Sequence, residues 1–71
     1  MYHNHLMIEH ITPRELEVLN LIGCGLSNQE IADTLIIATT TVKKYAANIY
    51  GKLGVKRRTQ AVVVARDLQI L

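Results

Sequence analysis

The stretch 39–53, TTTVKKYAANIYGKL, decides how the rest of the chain is read. Val42, Tyr45, Ala46, Ile49, Tyr50 and Leu53 recur at steps of three, four and seven residues, which draws one apolar stripe along a helix. Thr40, Lys43, Lys44, Ala47, Asn48 and Gly51 fall on the opposite side. That side is cationic or small and carries no acid. The pattern predicts a helix that docks on a domain by one face and leaves the other open. An ordinary surface helix with solvated lysines draws the same stripe, so the flanking residues must separate the two readings.

Upstream, Ser27-Asn28-Gln29-Glu30 has the form of a capping box and predicts a short helix over about 28–35. Ile31, Ala32 and Leu35 face inward, and the small Ala32 lets the next helix cross closely. Ile36, Ile37 and Ala38 make a tight connection. Two helices joined this way, the second basic outside, form a helix-turn-helix arrangement. The Ser27 hydroxyl and the free N–H groups beside it can hold a phosphate, although capping explains Ser27 equally well. Further upstream, Thr12-Pro13-Arg14-Glu15 opens a first helix over about 13–24. Leu16, Val18, Leu19 and Ile22 form its core side, Cys24 is a small structural residue in its last turn, and Gly25 stops it. Glu15, Glu17, Glu30 and Asp33 read as capping or helix-surface acids.

Downstream, Gly54 closes the long helix. Gly51 is odd inside it, because glycine costs roughly 1 kcal/mol relative to alanine there. A close approach to the backbone explains it, as does tolerance near a helix end. Val55-Lys56-Arg57-Arg58 is a basic loop. Thr59 caps a fourth helix over about 60–69, with Ala61, Val64, Ala65 and Leu68 inward and Val63 outward as a candidate dimer contact. The fold class is all-α, a compact four-helix domain over 12–71 behind a tail or linker end at 1–11.

Seventy-one residues allow one small core and no deep catalytic cleft. No nucleophile–base pair, paired carboxylates or phosphate-cradling glycine loop is present, so an enzyme is not expected, and no cofactor is implied. His3, His5 and His10 lack companions at ligand spacing, so no metal site is expected. The single Cys24 excludes an internal disulfide and fits a reducing cytoplasm. No apolar run is long enough to span a bilayer, and the N-terminus lacks the pattern of a secretory signal. Net charge is only +2, but its distribution is uneven. All six acids lie outside residues 34–66, whereas Lys43, Lys44, Lys52, Lys56, Arg57, Arg58 and Arg66 lie inside. Such segregation is the footprint expected for a polyanion partner. The charge and the helix-turn-helix point to the same face, which favours double-stranded DNA over a solvated surface. A protein-interaction module on the same fold is the alternative.

Three segments in order, ITPRELEVLNLI (11–22), GLSNQEIADTL (25–35) and TVKKYAANIYGKLGVKRRTQAV (41–62), followed by ARDL, resemble the DNA-binding domain of the LuxR/GerE family of bacterial transcription regulators. Within that family, NIYGKLGVKRRTQAV is most similar to the large ATP-dependent branch. The resemblance implies sequence-specific binding of duplex DNA with the helix near 39–53 in the major groove. It implies Lys43, Lys44 and Ala47 at bases, and Thr39, Thr40, Thr41, Asn48, Lys56, Arg57 and Arg58 at phosphates or in positioning. It also implies a homodimer on an inverted repeat through the fourth helix, with RNA polymerase as a further candidate partner. Three positions depart from the family pattern. Ala38 replaces the serine that usually caps the recognition helix, so Thr39 or Thr40 is expected to take over the cap and shift the helix start. Tyr45 stands where histidine is frequent. Ala47 stands where a larger or charged residue is frequent, and it offers only a methyl contact, for example to thymine.

Overall fold

Residues 10–71 are described by a computed structural model; Met1–Glu9, with His3, His5 and most of the expected tail, lie outside the described residues. Four helices follow from Pro13 onward, α1 (Pro13–Gly23), α2 (Asn28–Leu35), α3 (Thr39–Leu53) and α4 (Arg58–Asp67). The first two begin as the sequence predicts. The Thr12 hydroxyl accepts from the Glu15 N–H at 3.1 Å, and the Glu15 carboxylate accepts from the Thr12 N–H at 3.0 Å. Ser27 and Glu30 repeat the reciprocal pair at 3.1 and 2.8 Å. Each side-chain cap stabilises its helix by on the order of 1 kcal/mol.

The long helix α3 packs against each of the other three. Its stripe supplies Val42, Ala46, Ile49 and Leu53 to a core completed by Val18, Leu19, Ile22, Ile31, Ala32, Ala61 and Ala65. Tyr45 and Tyr50 pack at its edge. The alanines of α2 and α4 are buried where helices meet, which lets the backbones approach.

Helix ends show where the sequence misleads. Gly25 (φ 88°) and Gly54 (φ 70°) take the left-handed conformation expected of them. Ile36, which closes α2, takes it too, at φ 58° and ψ 53°. A β-branched side chain there costs roughly 1–2 kcal/mol, and Ile36 is 89% exposed, so no packing offsets the strain. Ile36→Gly is therefore expected to stabilise the fold by roughly 0.5–1 kcal/mol after glycine's own entropy cost. A rise in the urea midpoint at constant slope would register it.

Several expectations need correction. The fourth helix begins at Arg58 rather than Gln60, and Thr59 does not cap it. Instead the Gln60 side chain turns back to accept from the N–H groups of Lys56 and Arg57, each at 3.2 Å. Neither Thr39 nor Thr40 takes over the α3 cap. Ala38 occupies the cap position without a side-chain bond, and the helix start does not shift. Leu16 is only half-buried, whereas Glu15 beside it is 4% exposed. Cys24 is exposed rather than packed. A Cβ added at Gly51 would meet nothing within 4 Å, so no close approach within the described chain explains that glycine.

Candidate nucleic-acid interface

The outward face of α3 matches the sequence reading residue for residue. Thr40, Lys43, Lys44, Ala47, Asn48 and Gly51 are all exposed. Among the described residues, no hydrogen bond or ion pair engages the side chains of Lys43, Lys44, Asn48, Lys56 or Arg57. The physical cause is the burial of the opposite stripe, which leaves the lysines no direction but outward.

Two cations of the basic window turn inward. The Lys52 ammonium donates to the Glu15 carboxylate and to the His10 carbonyl, each at 2.6 Å. Burial pushes the Glu15 carboxyl up. The hydrogen bond from Lys52, those from Thr12 and the Lys52 charge more than offset it, so its pKa lies below the ordinary 4.5. Lys52 thus ties the end of α3 to the start of α1 and contributes little charge to the outer face. Arg58 donates to the Asn28 side-chain oxygen at 3.1 Å and to the Leu26 carbonyl. It braces the start of α4 against the start of α2.

The start of α3 is held from the same place. The Thr39 hydroxyl donates to Gln29 Oε1 at 3.2 Å, and Gln29 Nε2 donates to Asp33 Oδ1 at 2.9 Å. Adjacent residues Asn28 and Gln29 therefore reach the first residues of α4 and α3. Thr41 is half-buried one turn into the stripe's edge. Ser27 is occupied as a cap, and Glu30, its partner, is held below the ordinary carboxylate value by the Ser27 N–H and hydroxyl. On α4, Val63 is 57% exposed. It lines an open groove with Val55, Val64 and Gln60, with Lys56 and Arg57 at its edge.

Sequence reasoning missed the Lys52–Glu15 pair, the Arg58 brace and Gln29. The i,i+4 spacing of Gln29 and Asp33 was legible as a helix-surface pair. The contacts across 10, 30 and 37 residues had no local signal. No cluster of metal-ligating side chains occurs among the described residues.

Fold and surface together define a helix-turn-helix domain with a cationic second helix. The family described as "Bacterial regulatory proteins, luxR family" matches residues 9–65, and the chain belongs to it. It is 44% identical over 59 residues to the DNA-binding transcriptional activator DevR/DosR of Mycobacterium tuberculosis, covering 83% of this chain and 27% of that protein. It is 51% identical over 59 residues to the response regulator protein VraR of Staphylococcus aureus, covering 83% and 28%. In structure it is similar to ChrA, a response regulator of a heme-sensing two-component system, with a TM-score of 0.83 and 41% identity over 86% of this chain and 30% of that one. The chain thus spans 27 to 30% of the length of these relatives. The expected likeness to a large ATP-dependent branch has no counterpart among them.

Proposed function

We propose that this chain binds double-stranded DNA in a sequence-selective way and serves transcription regulation. The observation that carries the reading is the outer face of α3, cationic, without an acid and without partners among the described residues, on a helix whose other face is buried. Lys43 and Lys44 donate to base edges, and Ala47 offers a methyl contact. Thr39, Thr40, Thr41, Asn48, Lys56 and Arg57 touch or approach phosphates. Ser27 and Arg58 serve the interface by holding the starts of α2 and α4. The exposed Val63 supports a homodimer on DNA through α4, hence an inverted-repeat site. Such a regulator also meets RNA polymerase, a contact to which no residue is assigned. No helix of the described residues is long and apolar enough to cross a membrane; the reading adds a cytoplasmic location and a binding role in place of catalysis.

Selection of bound duplexes from a random pool at near-physiological salt tests this, and an enriched inverted repeat is the expected result. Binding without enrichment would remove selectivity from the reading, and no binding even at low salt would remove DNA. On the enriched duplex, Lys44→Ala is expected to cost about 1–3 kcal/mol and to relax the choice of base. Arg57→Ala should weaken selected and random duplexes alike and reduce the salt slope by about one. Identical effects of the two changes on both duplexes would contradict this division of labour.

A further inference from the structure

The first turn of α3 has no side-chain cap. Ala38 offers none, and the threonine that follows bonds elsewhere. What holds this turn instead is a three-residue chain, Thr39 to Gln29 to Asp33, that crosses from α3 to α2. Its polarity is fixed by Asp33. An ionised carboxylate only accepts, so it takes the amide N–H of Gln29 and turns the amide oxygen toward α3. That oxygen then receives the Thr39 hydroxyl. An acid on a helix next to a cationic face is electrostatically unfavourable for DNA, and orienting Gln29 gives Asp33 a reason to be there.

We propose that Gln29 is a positioning residue for DNA selectivity, and this rests on the DNA-binding reading above. It sets the angle and register of the first turn of α3, from which Lys43 and Lys44 project one turn later. It acts through Thr39 and not through its own contact with DNA. A small rotation at this end displaces both lysines from base edges, whereas phosphate contacts with the flexible Lys56 and Arg57 side chains adapt.

The test uses the 71-residue chain, the most enriched duplex from the random pool and a scrambled duplex of equal composition. Affinity for both is measured for wild type, Gln29→Leu, Gln29→Glu and the double variant Gln29→Glu/Asp33→Asn. The double variant keeps the net charge and rebuilds both bonds with only the 29–33 link reversed, since a carboxylate at 29 accepts from the Thr39 hydroxyl, as Gln29 does, and from the amide at 33. Gln29→Leu is expected to lower the ratio of selected to scrambled affinity roughly fivefold, the effect of one lost hydrogen bond. Its melting temperature should shift by a few degrees at most, because the site is exposed. Gln29→Glu should also lower the ratio, because its carboxylate loses the bond to Asp33 and is repelled by it at i,i+4, and the double variant should restore it. An unchanged ratio in Gln29→Leu, or a loss that the double variant leaves in place, overturns the proposal, the latter by assigning Gln29 a direct DNA contact. A wild type that binds neither duplex instead removes the DNA reading itself.

Discussion

Lys52→Met is expected to destabilise the domain by about 2–3 kcal/mol and to lower its melting temperature by roughly 10–20 °C. Breaking a buried pair from one side costs about 3–5 kcal/mol. The lower figure applies here because the Lys52 side chain is 28% exposed, whereas that of Glu15 is 5% exposed. Methionine keeps most of the stem's packing, so the loss reports the charge. It leaves a carboxylate buried against α3 with only the Thr12 N–H group and hydroxyl for company. The reverse change, Glu15→Gln, is expected to cost less, since the freed ammonium reaches water and still donates to the His10 carbonyl. Acid supplies an internal control. The folded pKa of Glu15 lies below its ordinary 4.5, so the pair stabilises the fold above that value. The stabilisation is lost as pH falls through 4.5 toward the lower folded value. Denaturation curves of wild type and Lys52→Met should therefore differ most near neutrality and converge in acid. A gap that stays constant down to pH of about 2 would show that packing, not charge, carries the effect.

Ile49→Ala is expected to have the largest effect on stability of any single truncation in α3. Ile49 is fully buried and lies on the helix that touches the other three. Removing its three outer carbons forfeits about 2–5 kcal/mol. A domain of this size has roughly 4–10 kcal/mol in all, so much of the chain would be unfolded at physiological temperature. Its neighbour makes the comparison sharp. Asn48 points outward, and Asn48→Ala should change stability by less than about 0.5 kcal/mol while weakening duplex binding. Circular dichroism melts should thus separate the two variants, with Ile49→Ala losing binding through loss of fold and Asn48→Ala losing it with the fold intact. Loss of binding in both with loss of fold in both would place Asn48 in the core, contrary to the burial pattern.

Much of the candidate site's exposed face was legible because one helix carries both the buried stripe and the outward residues. The stripe Val42, Ala46, Ile49 and Leu53 fixed which way α3 faces, and Lys43, Lys44, Ala47 and Asn48 followed by geometry. Capping boxes at Thr12 and Ser27 and stops at Gly25 and Gly54 are local chemistry, so α1 and α2 and the end of α3 were readable to within a residue. The start of α4 was not. A threonine is the stronger local signal, but a glutamine reaching back to two N–H groups set the boundary earlier. Charge counting was similarly incomplete. Seven cations in residues 34–66 read as one patch, yet Lys52 and Arg58 are spent inside the fold.

The sequence by itself determined the helices, the buried stripe and the side of α3 that faces outward, because periodicity and capping act over four residues or fewer. Only the tertiary structure decided which charges remain available and what fixes the two ends of α3. Lys52 meets Glu15 across 37 residues and Thr39 meets Gln29 across 10. Such pairs form only after the helices have packed, and no local pattern encodes which partner each polar group will find.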